Sequence, residues 1–316
     1  MNCKEKKKRA PFSLRRTISP LQRHMNRRAV LYMQAPFVIL FLLFIIIPVA
    51  IAIGISFTDF NSIEKPRFVG LENYINILTN DNIFTEFAIP NTIVYSVIVG
   101  VGGYILSFFL AWSLAQVPKG PRTVMAIILY LPSMTAGIML STVWQVFFAG
   151  DKVGYLNAIL LKLDLIQSPI TWLSDSRYLM LIMIVVSLWS SMGIGFLSML
   201  AGILNVNREL YEAAHIDGVK NRIQEIIYIT IPAIKPHMMF GAIMAIVNAF
   251  QNGSIGVQLS GANPTPGYAG QLLVTHAEEY AFVRYEMGYS AALSVILLLI
   301  VWGVSQLSKK LFAVRG

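Results

Sequence analysis

Apolar residues fall along the chain in six blocks, separated by polar connections. The blocks lie at roughly 35–58, 92–116, 124–148, 179–203, 238–259 and 289–308. Each is close to the about 20 mostly apolar residues that a helix needs to cross a bilayer core. The pattern predicts an all-α, polytopic membrane protein with six transmembrane helices. Pro48 and Pro132 lie inside blocks and read as kinks, because neighbouring helices in lipid satisfy the freed carbonyls. Ser191, Gly195, Ser198 and Gly202 give the fourth block a small-residue face for close helix packing. In the long connection 59–91, the stretch FVGLENYINIL (68–78) predicts a short helix at the membrane surface. Neither a low-complexity segment nor an internal repeat stands out.

Composition agrees with this pattern. Of 316 residues, 56% are hydrophobic and 13% are charged. That is about half the charged share of a typical soluble domain, too little to cover a water-facing surface. The net charge of +9 raises the question of nucleic acid, but its placement argues against it. Ten of the 25 Lys and Arg residues lie in residues 1–30, just before the first apolar block. The expected organisation is a basic cytoplasmic N-terminal arm, 1–30, and a transmembrane domain, 31–316. With the N-terminus inside, inner segments hold nineteen Lys/Arg and outer segments six. The positive-inside bias therefore expects both termini in the cytoplasm. The first block is too long for a signal-peptide core and lacks a nearby cleavage site, so it reads as a retained anchor. The single cysteine, Cys3, excludes an intrachain disulfide.

One polar, helix-prone segment interrupts the apolar pattern between blocks four and five, at 205–236. Asn205 or Asn207 caps a short helix over Arg208 to Ile216. Asp217-Gly218 ends it, since glycine readily takes the left-handed conformation at helix ends. A second helix is expected from Lys220 to Ile229, with Pro232 and Pro236 closing the segment. Ala213 and Ala214 leave a smooth patch beside Glu212, whose carboxylate suits a bidentate arginine. Two readings fit these residues: a docking knob for another protein, and an ordinary amphipathic helix lying in the interface.

Polar residues within the blocks are candidates for a solute pathway. Asn248, Gln251 and Asn252 share one face of the fifth block, and Asn248 falls near mid-membrane. Their amides suit hydroxyl groups and carry no charge to trap a neutral solute. Interhelical hydrogen bonding is the competing role. Trp189 is placed either to stack on a sugar ring or to serve as core. The four histidines show no metal-ligand spacing, so no metal site is expected. Glu278, Glu279, Arg284 and Glu286 read as a solvated outer stretch. No nucleophile–base pair stands out, so no enzyme is expected. The absence of a G-x-x-x-x-G-K-[ST] sequence means that ATP, if used, is bound by another chain. A stand-alone secondary transporter calls for intramembrane acids or inverted repeats, and no Asp or Glu lies well inside a block.

Glu212-Ala213-Ala214-x-x-Asp217-Gly218, followed by Ile229-x-Ile231-Pro232, resembles the EAA loop of permease subunits of bacterial ABC importers. The interval from Gly218 to Pro232 is one residue longer than that pattern. FVGLENY (68–74), Asn91-Thr92, and the arrangement of Pro132, Trp144, Gly154 and Asn157 are similar to features of the carbohydrate branch. The resemblance implies a type I ABC importer permease fold in the bacterial cell membrane. It implies a second permease subunit, two ABC ATPase subunits and an extracytoplasmic solute-binding protein as partners. It assigns ATPase coupling to the loop, with Glu212 pairing an arginine there. No cofactor is expected on this chain, ATP being bound by the ATPase subunits. The implied solute is a sugar or oligosaccharide; a polyol, a glycerol phosphate or a peptide is the alternative.

Overall fold

The computed structural model describes residues 32–135 and 137–312. The basic arm of residues 1–30 lies outside the described residues. The chain divides into two compact units, residues 1–52 and 53–316, and the described part of the smaller unit is helical throughout. The fold is all-α. Among the described residues the β structure amounts to one isolated antiparallel bridge, Thr58 to Phe68.

Helix α1 (Tyr32–Ile55) has the length and hydropathy of a span. Its turn Leu42–Ile46 is π-helical and ends just before Pro48. Proline lacks an N–H and crowds the carbonyl four residues back, and the widened turn accommodates both. The short helix α2 (Glu72–Thr79) starts inside the expected stretch 68–78 and ends one residue past it. It starts after Gly70, whose φ of 62° turns the chain. Buried Asn73 donates from Nδ2 to the carbonyls of Ser56 and Thr58, at 2.9 and 2.8 Å, closing the chain just past α1.

Helix α3 (Phe84–Ala115) is the longest continuous span. Its buried residues Tyr95, Ser96, Val99, Gly100, Gly103, Ser107, Ala111 and Leu114 recur every three to four positions, forming one inward face of mostly small side chains. The chain continues through α4 (Lys119–Met134), α5 (Gly137–Phe147) and α6 (Tyr155–Lys162). Then come α7 (Ser176–Trp189) and α8 (Ile194–Leu204), bent by 40°. The polar segment supplies α9 (Arg208–Ile216) and α10 (Arg222–Ala233). Helix α11 (Lys235–Gln251) leaves α10 at an 85° bend. Helices α12 (Ile255–Ser260), α13 (Leu273–Phe282) and α14 (Met287–Phe312) complete the chain.

By length and composition, α1, α3 and α14 each suffice to cross a membrane, and the two bent pairs bring the number to five. Three of the expected spans differ from the uniform helices read from the sequence. The block 179–203 is broken between Trp189 and Ile194, where α7 and α8 meet at 40°. The block 124–148 is two helices, because α4 ends at Met134, two residues after the buried Pro132. The block 238–259 is interrupted after Gln251, and residues 255–260 form the separate α12.

The small-residue face of the fourth block packs as its composition predicts. A Cβ on Gly195 would sit 3.1 Å from the Gly241 Cα, and one on Gly202 would sit 2.7 Å from the His237 ring. Ser198 Oγ lies 3.1 Å from His237 Nδ1. Helices α8 and α11 therefore meet almost backbone to backbone. Three buried clusters occur along α3 and its neighbours. They are centred on Ile77, Leu273 and Leu293; on Tyr95, Met183 and Leu259; and on Phe196, Met199 and Ile234.

Candidate functional site

The first candidate site is the segment joining α8 to α11. Asn207, rather than Asn205, caps α9, its side chain accepting from the Glu209 N–H at 3.1 Å. Asp217 is the C-terminal cap, and Gly218 follows with φ 96° in the left-handed region. Glu212, Ala213, Asp217 and Gly218 are exposed, and Ala214 is half-buried. The Glu212 carboxylate has no hydrogen bond or ion pair among the described residues. Leu210 and Ile216 of α9 and Ile223 and Tyr228 of α10 are exposed as well. An unpaired carboxylate and exposed apolar side chains suit both a protein-docking face and a helix lying in the membrane interface.

The second leg starts two residues later than the sequence suggests. Asn221 caps it, accepting from the Ile223 N–H. Residues Ile226–Thr230 then form a π-turn. Helix α11 follows the break at Ile234, with Pro236 in its first turn.

The second candidate site is a cavity of about 340 Å³ beside the break between α7 and α8. Asn248 and Asn252 line it, together with Ser133, Ser190, Ser191 and Tyr130. Both amides are exposed to the cavity, and neither side chain hydrogen-bonds to another described residue. Gly193 faces Asn248: a Cβ there would sit 3.7 Å from the Asn248 Nδ2. No charged side chain lines the cavity. The side chain of Gln251 lies outside the described part of the structure.

Trp189 is placed elsewhere. It packs edge-on to Trp144, with ring centroids 5.4 Å apart, and does not line the cavity. Trp144 in turn stacks on Phe148 at 5.6 Å, so Trp189 belongs to an aromatic cluster. From the sequence Ser191 reads as a packing residue and Ser133 and Ser190 carry no signal of a cavity, because a hydroxyl in an apolar block looks like packing. The Ser190-Ser191 pair just before Gly193 was the available signal for a helix break.

Two further groups of polar residues organise the connections. Asn157 is fully buried and donates from Nδ2 to the carbonyls of Ala149 and Ile170, both at 3.0 Å, while its Oδ1 accepts from Trp172 Nε1 at 2.8 Å. The stretch 278–286 is not uniformly solvated. Glu279 is buried and paired with Arg284 at 2.6 Å, and its other oxygen accepts from Gln271 Nε2. Nearby, buried Asp81 accepts from Tyr289 OH at 2.9 Å and contacts His276 Nε2 at 2.7 Å. Burial alone would push the Asp81 carboxyl up. Hydrogen bonds from His276, the Phe84 N–H and Tyr289 outweigh burial and hold it below the ordinary carboxylate range. Among the described residues no group of three His, Cys, Asp or Glu side chains is placed to hold a metal.

A bundle of apolar helices, a polar uncharged cavity at a helix break and an exposed polar elbow together define a multi-pass membrane transport protein. Residues 103–309 match the binding-protein-dependent transport system inner membrane component family, and the chain belongs to that family. It is 33% identical to the arabinooligosaccharides transport system permease protein AraP of Bacillus subtilis (strain 168), over 90% of this chain and 89% of the relative. It is 26% identical to the probable starch degradation products transport system permease protein AmyD of Thermoanaerobacterium thermosulfurigenes, over 86% and 89%. Among solved structures, a chain of a bacterial ABC transporter involved in import of the acidic polysaccharide alginate superposes with a TM-score of 0.73. It is 25% identical and covers 92% of this chain and 98% of its own.

Proposed function

We propose that this chain is the membrane-spanning permease subunit of an ATP-driven importer for a neutral saccharide, delivered by an extracytoplasmic binding protein. The observation that carries the reading is the cavity beside the α7–α8 break. Its amides and hydroxyls pair well with sugar hydroxyls, and it has no cationic side chain to favour an anionic ester. The names of AraP and AmyD support the same solute class.

In this reading α9 docks on an ATPase subunit through Glu212, Ala213 and Ala214, with Asp217 and Gly218 forming the turn. A second permease subunit completes the pathway, and a second ATPase subunit serves it. ATP binding closes the ATPase pair, α9 moves with it, and the spans switch between inward- and outward-facing arrangements. Residues 205–236 then form the cytoplasmic elbow and 31–316 the transmembrane domain. Both termini lie in the cytoplasm. This chain itself carries no catalytic step and no cofactor.

The test is uptake into proteoliposomes holding the chain with its partner permease, the ATPase subunits and the binding protein. Neutral oligosaccharides should enter only with ATP and binding protein, and sugar phosphates should not compete. Uptake by the purified chain alone, without ATPase subunits, would overturn the proposal.

A further inference from the structure

Helix α9 is mostly exposed, with no fully buried residue. It is followed by the left-handed Gly218 turn (φ 96°), whose bonds reach no further than Val219: the Val219 N–H donates to the Ala214 carbonyl, and His215 Nδ1 lies 2.9 Å from the Val219 carbonyl oxygen. Among the described residues, one side-chain hydrogen bond links α9 to anything beyond Val219. It joins Tyr211 OH to Thr230 Oγ1 at 3.2 Å. Thr230 is 1% exposed, and its Oγ1 also lies 3.4 Å from the Glu225 carbonyl oxygen. A hydroxyl has one proton to give, so when Thr230 donates to that carbonyl, Tyr211 donates to Thr230. Glu225 is buried as well, and its carboxylate accepts from Arg222 Nη1 at 2.9 and 3.2 Å.

Thr230 is the last residue of the π-turn Ile226–Thr230. A π-turn is an α-turn with one residue added. Here it lies between Glu225 and Ile231, directly before Pro232. Beyond Thr230 come Pro232, the 85° bend and α11, which carries Asn248 into the cavity. Thr230 thus sits between the exposed docking helix and the helix that lines the cavity.

We infer that Tyr211 and Thr230 are positioning residues for transport. Their bond fastens the Glu212 helix to the π-turn, so that displacement of α9 passes to α11 instead of being absorbed at Gly218. The inference rests on the coupling role proposed above for α9.

The experiment uses the complete importer in proteoliposomes and reads saccharide imported per ATP hydrolysed, alongside subunit assembly and melting temperature. Tyr211→Phe and Thr230→Val should each lower that ratio about fivefold, the scale of one lost hydrogen bond, with assembly intact. The double variant should be no worse than either single one, because both remove the same bond. Thr230→Ser should stay within about twofold of the native ratio, since the hydroxyl is kept. An unchanged ratio in both single variants would overturn the inference. So would uptake and hydrolysis falling together only as assembly is lost. Glu212→Ala in the same preparation separates the two levels. If it leaves assembly and solute-stimulated hydrolysis intact, the coupling role of α9 fails; if it acts while the Tyr211 and Thr230 variants do not, only the brace fails.

Discussion

His276 Nε2 and Asp81 Oδ2 lie 2.7 Å apart, although 195 residues separate them in the chain. Both are buried, and the pair ties the start of α3 to α13. Tyr289 adds a bond from α14, so one carboxylate holds three elements together. Asp81→Ala would leave the histidine and the tyrosine hydroxyl without their acceptor in a buried place. We expect a loss of about 2–4 kcal/mol, read as a lower melting temperature in nanodiscs. The Asp81 carboxyl is held low in the folded state. Its contribution is therefore complete above the unfolded value of about 4 and is lost as pH falls through the folded value. Melting temperature against pH should accordingly fall below about pH 4 in the native chain. Asp81→Asn should flatten that acid limb; an unchanged acid limb would refute the assignment.

The contact of Gly202 with His237 gives a second expectation. Gly202→Ala would place a methyl group 2.7 Å from a ring that Ser198 holds in place. Overpacking of this kind costs about 1–3 kcal/mol. Adding His237→Ala should restore part of the loss, because the two side chains compete for one space. Equal melting temperatures for the single and double variants would show that the ring moves aside freely.

Asn248 faces the cavity opposite Gly193, and its side chain has no hydrogen-bond partner among the described residues. Asn248→Leu should lower saccharide uptake on the order of tenfold while the assembled complex persists. Trp189→Ala should leave uptake within about twofold, since that ring packs on Trp144 away from the cavity. Radiolabelled uptake in the reconstituted importer distinguishes the two, and the reverse ranking would move the solute pathway to the aromatic cluster.

Glu212 is exposed and unpaired among the described residues, so its removal should cost this chain almost nothing in stability. Glu212→Ala should instead weaken binding of the ATPase subunits and lower solute-stimulated ATP hydrolysis. Co-purification and hydrolysis assays read both effects, and normal stimulation in the variant would count against the docking role.

Much of the architecture was legible in the residues. Apolar blocks marked most of the helices that could span a membrane, because lipid leaves a helix no choice of composition. The fourth block's face was readable because Gly195 and Gly202 lie seven residues apart, two helical turns. Asn207 and Gly218 announced the ends of α9 through local backbone chemistry. Pro132 suggested a kink, but whether α4 continued past it depended on what packed there.

The sequence by itself determined an all-α membrane protein and the polar elbow at 205–236, since hydropathy, caps and glycine turns act over a few residues. Only the tertiary structure decided that Ser133, Ser190, Ser191 and Asn248 share one cavity, that Trp189 does not, and that Asp81 meets His276. Those pairings depend on how helices far apart in sequence are set against one another. A hydroxyl or an amide looks the same along the chain whether it will face a cavity, a neighbouring helix or lipid.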